Sequence, residues 1–107
     1  MKYKQLDKII KSQIQQILKT RDDGQKEYAR TEDNVFANFQ RVAKYVGVNQ
    51  EQVLMVYLLK HIDGIMAYVN GHKSQRECVT GRITDAIVYL LLLRGMIESN
   101  ETNKRTE

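Results

Sequence analysis

Apolar residues recur at steps of three and four along most of this chain, the period of helices that each bury one face. In the first segment Tyr3, Leu6, Ile9, Ile10, Ile14, Ile17 and Leu18 form one stripe against lysine and glutamine, which predicts a helix over residues 2–20. Asp22-Asp23-Gly24 interrupts the pattern, and the polar stretch 25–31, with Tyr28 at its centre, reads as a connector. Thr31 or Asp33 supplies a cap for a second helix over 33–46, whose stripe is Val35, Phe36, Phe39, Val42, Ala43 and Val46. Gly47 is placed to end it in the left-handed conformation. Asn49 with Gln52 resembles a capping box for a third helix over 50–69, with Leu54, Leu58, Ile62, Ile65 and Val69 as its expected core stripe. Ser74 with Glu77 suggests another box and a fourth helix over 75–98. Residues 99–107 carry no apolar side chain and are expected to form a mobile polar tail.

The fourth helix has no clean polar face. Val79, Ile83, Ala86, Leu90, Leu93 and Ile97 line one side, and Asp85, Tyr89, Leu92 and Met96 line a second. The third likewise presents Val53, Val56, Tyr57 and Ala67 outside its main stripe. Helices apolar on two sides need cover on both, from neighbouring helices or from another subunit. The expected fold is all-α, a four-helix bundle-like single domain over 1–98 that assembles as a homo-oligomer.

A chain of 107 residues without proline suits one domain of long helices. The single Cys78 rules out an internal disulfide, argues against a cysteine zinc site and reads as a core residue, which together with the charged start Met1-Lys2-Tyr3-Lys4 points to a cytoplasmic protein. The longest apolar run, 86–93, is far short of the about 20 residues that a membrane-spanning helix needs. The net charge of +4 is concentrated in the first helix, at Lys2, Lys4, Lys8, Lys11 and Lys19. No arginine accompanies these lysines, and the single aromatic among them, Tyr3, belongs to the apolar stripe, so the face reads as solvated and nucleic acid is not the expected partner.

The candidate chemistry lies in two repeated pairs, Lys60 with Asp63 and Arg82 with Asp85, each a cation and a carboxylate three residues apart in apolar surroundings. That spacing places both members of a pair on one helical face. The four charges are expected to meet one another, a phosphorylated ligand or a metal, with Tyr89 stacked below Arg82 and Asp85. A structural ion-pair network or a solvent-facing stripe fits the same spacing. Tyr28, flanked by Lys26 and Arg30, can stack a base while the cations hold phosphate, or can pin its loop to the core. His61 and His72 lack a second ligand at metal spacing and read as satisfied or exposed side chains. The run 43–48 followed by Val53 also has helix-turn-helix spacing, but the face it would offer to a groove contains Leu54, Met55 and Leu58.

The order of Glu27-Tyr28-Ala29, Asn34-Val35-Phe36-Ala37-Asn38-Phe39, Lys60-His61-Ile62-Asp63 and Thr84-Asp85-Ala86-Ile87-Val88-Tyr89 resembles the small, mostly phage-borne nucleotide-modification-associated family. That family is similar in outline to the MazG-like all-α nucleotide pyrophosphohydrolases, and the resemblance covers 25–98. MazG-like enzymes hold Mg²⁺ with a Glu-x-x-Glu pair and a Glu-x-x-Asp pair. Here only Asp63 and Asp85 match carboxylate positions, while Lys60 and Arg82 replace the other two, which disfavours Mg²⁺ and favours direct phosphate binding. The resemblance therefore implies a nucleotide-handling protein working in a bacterial host cell, with weak or no metal-dependent hydrolysis. Lys60 and Arg82 would hold phosphate, and Asp63 and Asp85 would orient them or recruit one metal. The alternatives are a non-enzymatic module docking a host or phage protein and, behind it, a helix-turn-helix DNA-binding regulator.

Overall fold

A computed structural model describes residues 1–30 and 33–106 of the chain. Among these the fold is all-α: α1 spans Tyr3–Gly24, α2 Ala37–Val46, α3 Gln50–Val69 and α4 Val79–Thr106, and a π-helical turn, Gln25–Ala29, follows α1.

α3 forms where its caps place it. Asn49 Oδ1 accepts the Gln52 N–H at 2.8 Å and Gln52 Oε1 accepts the Asn49 N–H at 3.0 Å, so two otherwise unpaired amides are satisfied reciprocally. Asn49→Ala is expected to cost about 1 kcal/mol, read as a drop of about 4 °C or more in the melting temperature. An unchanged melting temperature would show that the box contributes nothing. α2 ends as expected at Gly47, whose φ of +73° is open to glycine, with its N–H donating to Ala43 O at 2.9 Å.

Four boundaries differ from expectation. α1 continues to Gly24 rather than stopping at residue 20, because Gly24 keeps helical angles and Lys19 pairs with Asp23 one turn on at 3.3 Å. The supposed connector is then a widened helical turn ending at Arg30, in the left-handed region at φ +69°. Arg41 of α2 holds it, its guanidinium donating to the carbonyls of Tyr28 and Ala29. α2 starts at Ala37 rather than 33: Asn34 Oδ1 accepts the Phe36 N–H at 3.1 Å in a local turn that delays the helix, Asp33 is exposed, and Thr31 lies outside the described residues. α4 starts at Val79 rather than 75, because Gln75 is spent on α3, donating to Gly64 O at 2.8 Å and His72 O at 3.1 Å. Cys78 is exposed rather than in the core, and it serves as the cap, its Sγ receiving the Gly81 N–H at 3.4 Å and its carbonyl the Arg82 N–H at 3.1 Å. At the far end the expected tail is helical to Thr106, supported by Asn100 donating to Glu51 of α3 at 3.0 Å and by the Arg94–Glu98 pair.

The core consists of Phe39 and Ala43 from α2, Val53 and Leu54 from α3 and Met96 from α4, with Tyr57, Tyr89 and Leu92 packed against it. α3 turns Val53, Leu54, Leu58 and His61 inward. The expected stripe is thus only half right: Ile62 and Val69 are exposed, because α3 is gripped between α2 and α4 and its inward line is rotated toward Tyr57 and His61. Leu54 and Leu58, which a helix-turn-helix would turn toward a groove, belong to the buried set.

α1 buries no residue at all. Its stripe Leu6, Ile10, Ile14 and Leu18 stays about half exposed, and Gln13 anchors the helix to α4 by donating to Thr84 Oγ1 at 2.8 Å. The domain is accordingly elongated, 50 × 30 × 24 Å. No helix among the described residues is long and apolar enough to cross a membrane.

Candidate functional site

A cleft of about 690 Å³ opens where the end of α1 and the π-helical turn pass over α2, α3 and α4. Its apolar side is aromatic. Phe39, Tyr57 and Tyr89 meet pairwise with ring centroids 5.9 to 6.2 Å apart, and the His61 ring lies 5.6 Å from that of Tyr89. Burial first, and the nearby Asp85 charge second, push the Tyr89 phenol up to about 12, so its hydroxyl stays protonated and able to donate.

At the inner end three ionisable side chains from three parts of the chain converge. His61 comes from α3, Glu77 from the segment before α4, and Asp85 from the second turn of α4. His61 Nε2 lies 3.7 Å from Asp85 Oδ2 and His61 Nδ1 lies 3.9 Å from Glu77 Oε2. Both separations are too long for hydrogen bonds. His61 is 8% exposed, and its Nδ1 is buried without a hydrogen-bond partner. Burial holds the Asp85 carboxyl above the ordinary carboxylate range; the His61 and Arg82 charges pull it back, and Glu77 adds to the rise.

Arg82 stands behind this group. Its Nε donates to Gln75 Oε1 at 2.9 Å, and its Nη1 lies 4.0 Å from Glu77 Oε2. The guanidinium rests against α3 at Gly64, where a Cβ would come within 2.6 Å of it, so a side chain there would have to displace Arg82.

At the mouth stand Tyr28, Lys60, Arg21 and Arg30, all exposed. The Glu27 carboxylate, ahead of partial burial, raises the Tyr28 phenol above its usual range.

Of the residues singled out from the sequence, Tyr28, Lys60, Asp85 and Tyr89 line this one cleft. Arg82 touches it only through Glu77. Lys26 is exposed on the π-helical turn and does not line the cleft. Asp63 is exposed and is not brought to Asp85, since it lies two residues, about 200° of helix, round from His61. The two charged pairs do not stack as a quartet.

His61 and Glu77 are the members that sequence reasoning passed over. The line Val53, Tyr57, His61, Gly64, at steps of four and three, carried a faint signal for His61. Glu77 looked like a capping residue and had none.

Comparison with known proteins finds no matching family model, curated protein or solved structure. Fold and site by themselves define the class: an all-α domain with an aromatic cleft, a cationic mouth and an imidazole–carboxylate group at its inner end.

Proposed function

We propose that the cleft binds a phosphorylated nucleotide. The observation that carries this reading is that Tyr28 and Lys60, from elements more than thirty positions apart in the chain, line one cleft with Asp85 and Tyr89. Its volume of about 690 Å³ is within the usual range for small-molecule sites. Exposed Tyr28 offers a ring face to a base, and Lys60 and Arg30 at the mouth offer cations to phosphate. Asp85 and the protonated Tyr89 hydroxyl can hydrogen-bond polar atoms of the base or sugar. Arg82, committed to Gln75 and Glu77, acts as a positioning residue rather than a phosphate ligand. The resemblance to the nucleotide-modification-associated and MazG-like proteins supports the same substrate class, in a bacterial host cytoplasm.

The test is a thermal-shift screen with nucleoside mono-, di- and triphosphates and cyclic dinucleotides, with and without Mg²⁺. A ligand that binds only the folded state raises the melting temperature. A selective shift is expected, with Tyr28→Ala weakening affinity about tenfold, a stacking loss of about 1–3 kcal/mol, and Lys60→Ala weakening triphosphates more than nucleosides. A flat screen would overturn the proposal and leave the protein-docking module as the better reading.

The uncovered apolar stripe on α1 favours association, and we propose that its occupant is a second copy of the chain. Leu6, Ile10, Ile14 and Leu18 recur every fourth residue on one edge, which suits packing against the same edge of another α1. A host or phage protein is the alternative occupant.

A further inference from the structure

We infer that His61, Glu77 and Asp85 form a binding site for one first-row transition-metal dication at the inner end of the cleft, with coordination positions left open toward it. One ligand atom from each residue lies within 4.8 Å of the other two. The two carboxylate oxygens stand 3.7 and 3.9 Å from the imidazole nitrogens facing them. A tetrahedral site built on bonds of about 2.1 Å has ligand–ligand edges of about 3.4 Å. Because the carboxylates face different ring nitrogens, separations of up to 4.8 Å must close by up to about 1.4 Å through side-chain rotation to bring one nitrogen and both carboxylates onto a single ion.

Proximity of acids alone would not single out this spot. The independent observation is the imidazole. His61 is more than nine-tenths buried, and its Nδ1 has no hydrogen-bond partner while facing Glu77. A buried polar atom left unsatisfied costs about 1–3 kcal/mol, and such a group in a folded protein usually has a missing partner. A dication supplies that partner and also neutralises Asp85, whose half-burial otherwise penalises its charge.

The frame is rigid enough to hold an ion. The Tyr89 ring packs against the His61 ring, and Asp85 sits one turn before Tyr89 on the same helix. Glu77, the one ligand outside a helix, is steadied by Arg82, itself fixed by Gln75 and Gly64. The donor chemistry selects the metal. One imidazole and two carboxylates suit Zn²⁺ or Mn²⁺, whereas Mg²⁺ prefers oxygen ligands and keeps its waters. An ion here would face the space in which Tyr28 and Lys60 meet a ligand, and would offer its open positions to water or a phosphate oxygen. The competing account is an imidazolium held between two carboxylates with no ion needed.

The test uses untagged full-length protein, stripped with chelator and titrated calorimetrically with Zn²⁺ or Mn²⁺ alone in the absence of nucleotide. Saturation at one ion per chain is expected, with affinity well above that for Mg²⁺. Glu77→Gln and Asp85→Asn should each weaken it about tenfold or more, while Asp63→Asn leaves it unchanged. Glu77 is half exposed and off the helices, so its variant keeps the fold even if Asp85→Asn does not. On the wild type, nitrogen NMR of His61 should show one ring nitrogen shifting on metal addition. No saturable binding, or binding that Glu77→Gln leaves intact, overturns the inference. Because the probe is the metal alone, failure here is distinct from failure of nucleotide binding.

Discussion

Leu54→Ala should lower stability by about 3–5 kcal/mol, a fall of about 15 °C or more in the melting temperature of a domain this size. Leu54 is fully buried, at 0% exposure, and packs in the one cluster that joins α2, α3 and α4 through Phe39, Ala43, Val53 and Met96. Removing three carbons there loses their transfer free energy and leaves a cavity that rigid helices on both sides cannot close. Chemical denaturation should show a lower midpoint with an unchanged slope, the sign of lost stability rather than of a changed unfolded state. Ile62→Ala is the comparison: Ile62 is 38% exposed on the same helix and should cost about 1 kcal/mol. Equal losses at the two positions would mean that the inward line of α3 is misassigned.

Ile14→Glu should abolish the self-association proposed through α1. Leu6, Ile10, Ile14 and Leu18 each leave about half of their surface in water, and covering that half stabilises by about 1 kcal/mol per residue. Counted on both copies, this is the order of driving force that a modest dimer needs after the cost of association. A glutamate in the middle of that contact appears once on each copy, and burying an unpaired carboxylate costs several kcal/mol. The monomer itself loses little, since Ile14 is 53% exposed and glutamate is a good helix former. Light scattering coupled to size exclusion gives the mass directly, and the wild type should also show a melting temperature that rises with concentration. A wild-type chain that runs as a monomer at high concentration sinks the second-copy proposal and turns attention to a different partner for α1.

What could be read from the chain was what neighbouring residues decide among themselves. The helical period, the absence of proline, the Asn49–Gln52 box and the left-handed Gly47 are local, and each led to the element found. At several misplaced ends a distant partner overrides the local preference: Arg41 on the turn after α1, Gln75 on Gly64, and Asn100 on Glu51, whereas the late start of α2 comes from the short-range Asn34 turn. The sequence contains nothing that announces those meetings. Lys60, Tyr28, Asp85 and Tyr89 were visible because charge or an aromatic ring stood out against its surroundings. Asp63 and Arg82 stood out equally and went elsewhere, since a spacing of three says which residues share a face of one helix and not which face meets a neighbour.

Helix content, helix order and the excess of apolar surface are therefore properties of the sequence itself, set by backbone sterics, capping and hydrophobic spacing over a few residues. The rotation of α3 between its neighbours was decided only by tertiary packing, because several apolar stripes compete on that helix and the chosen one is whichever interdigitates with α2 and α4. The same packing buried His61 and carried Glu77 and Asp85 to it from 16 and 24 positions away along the chain.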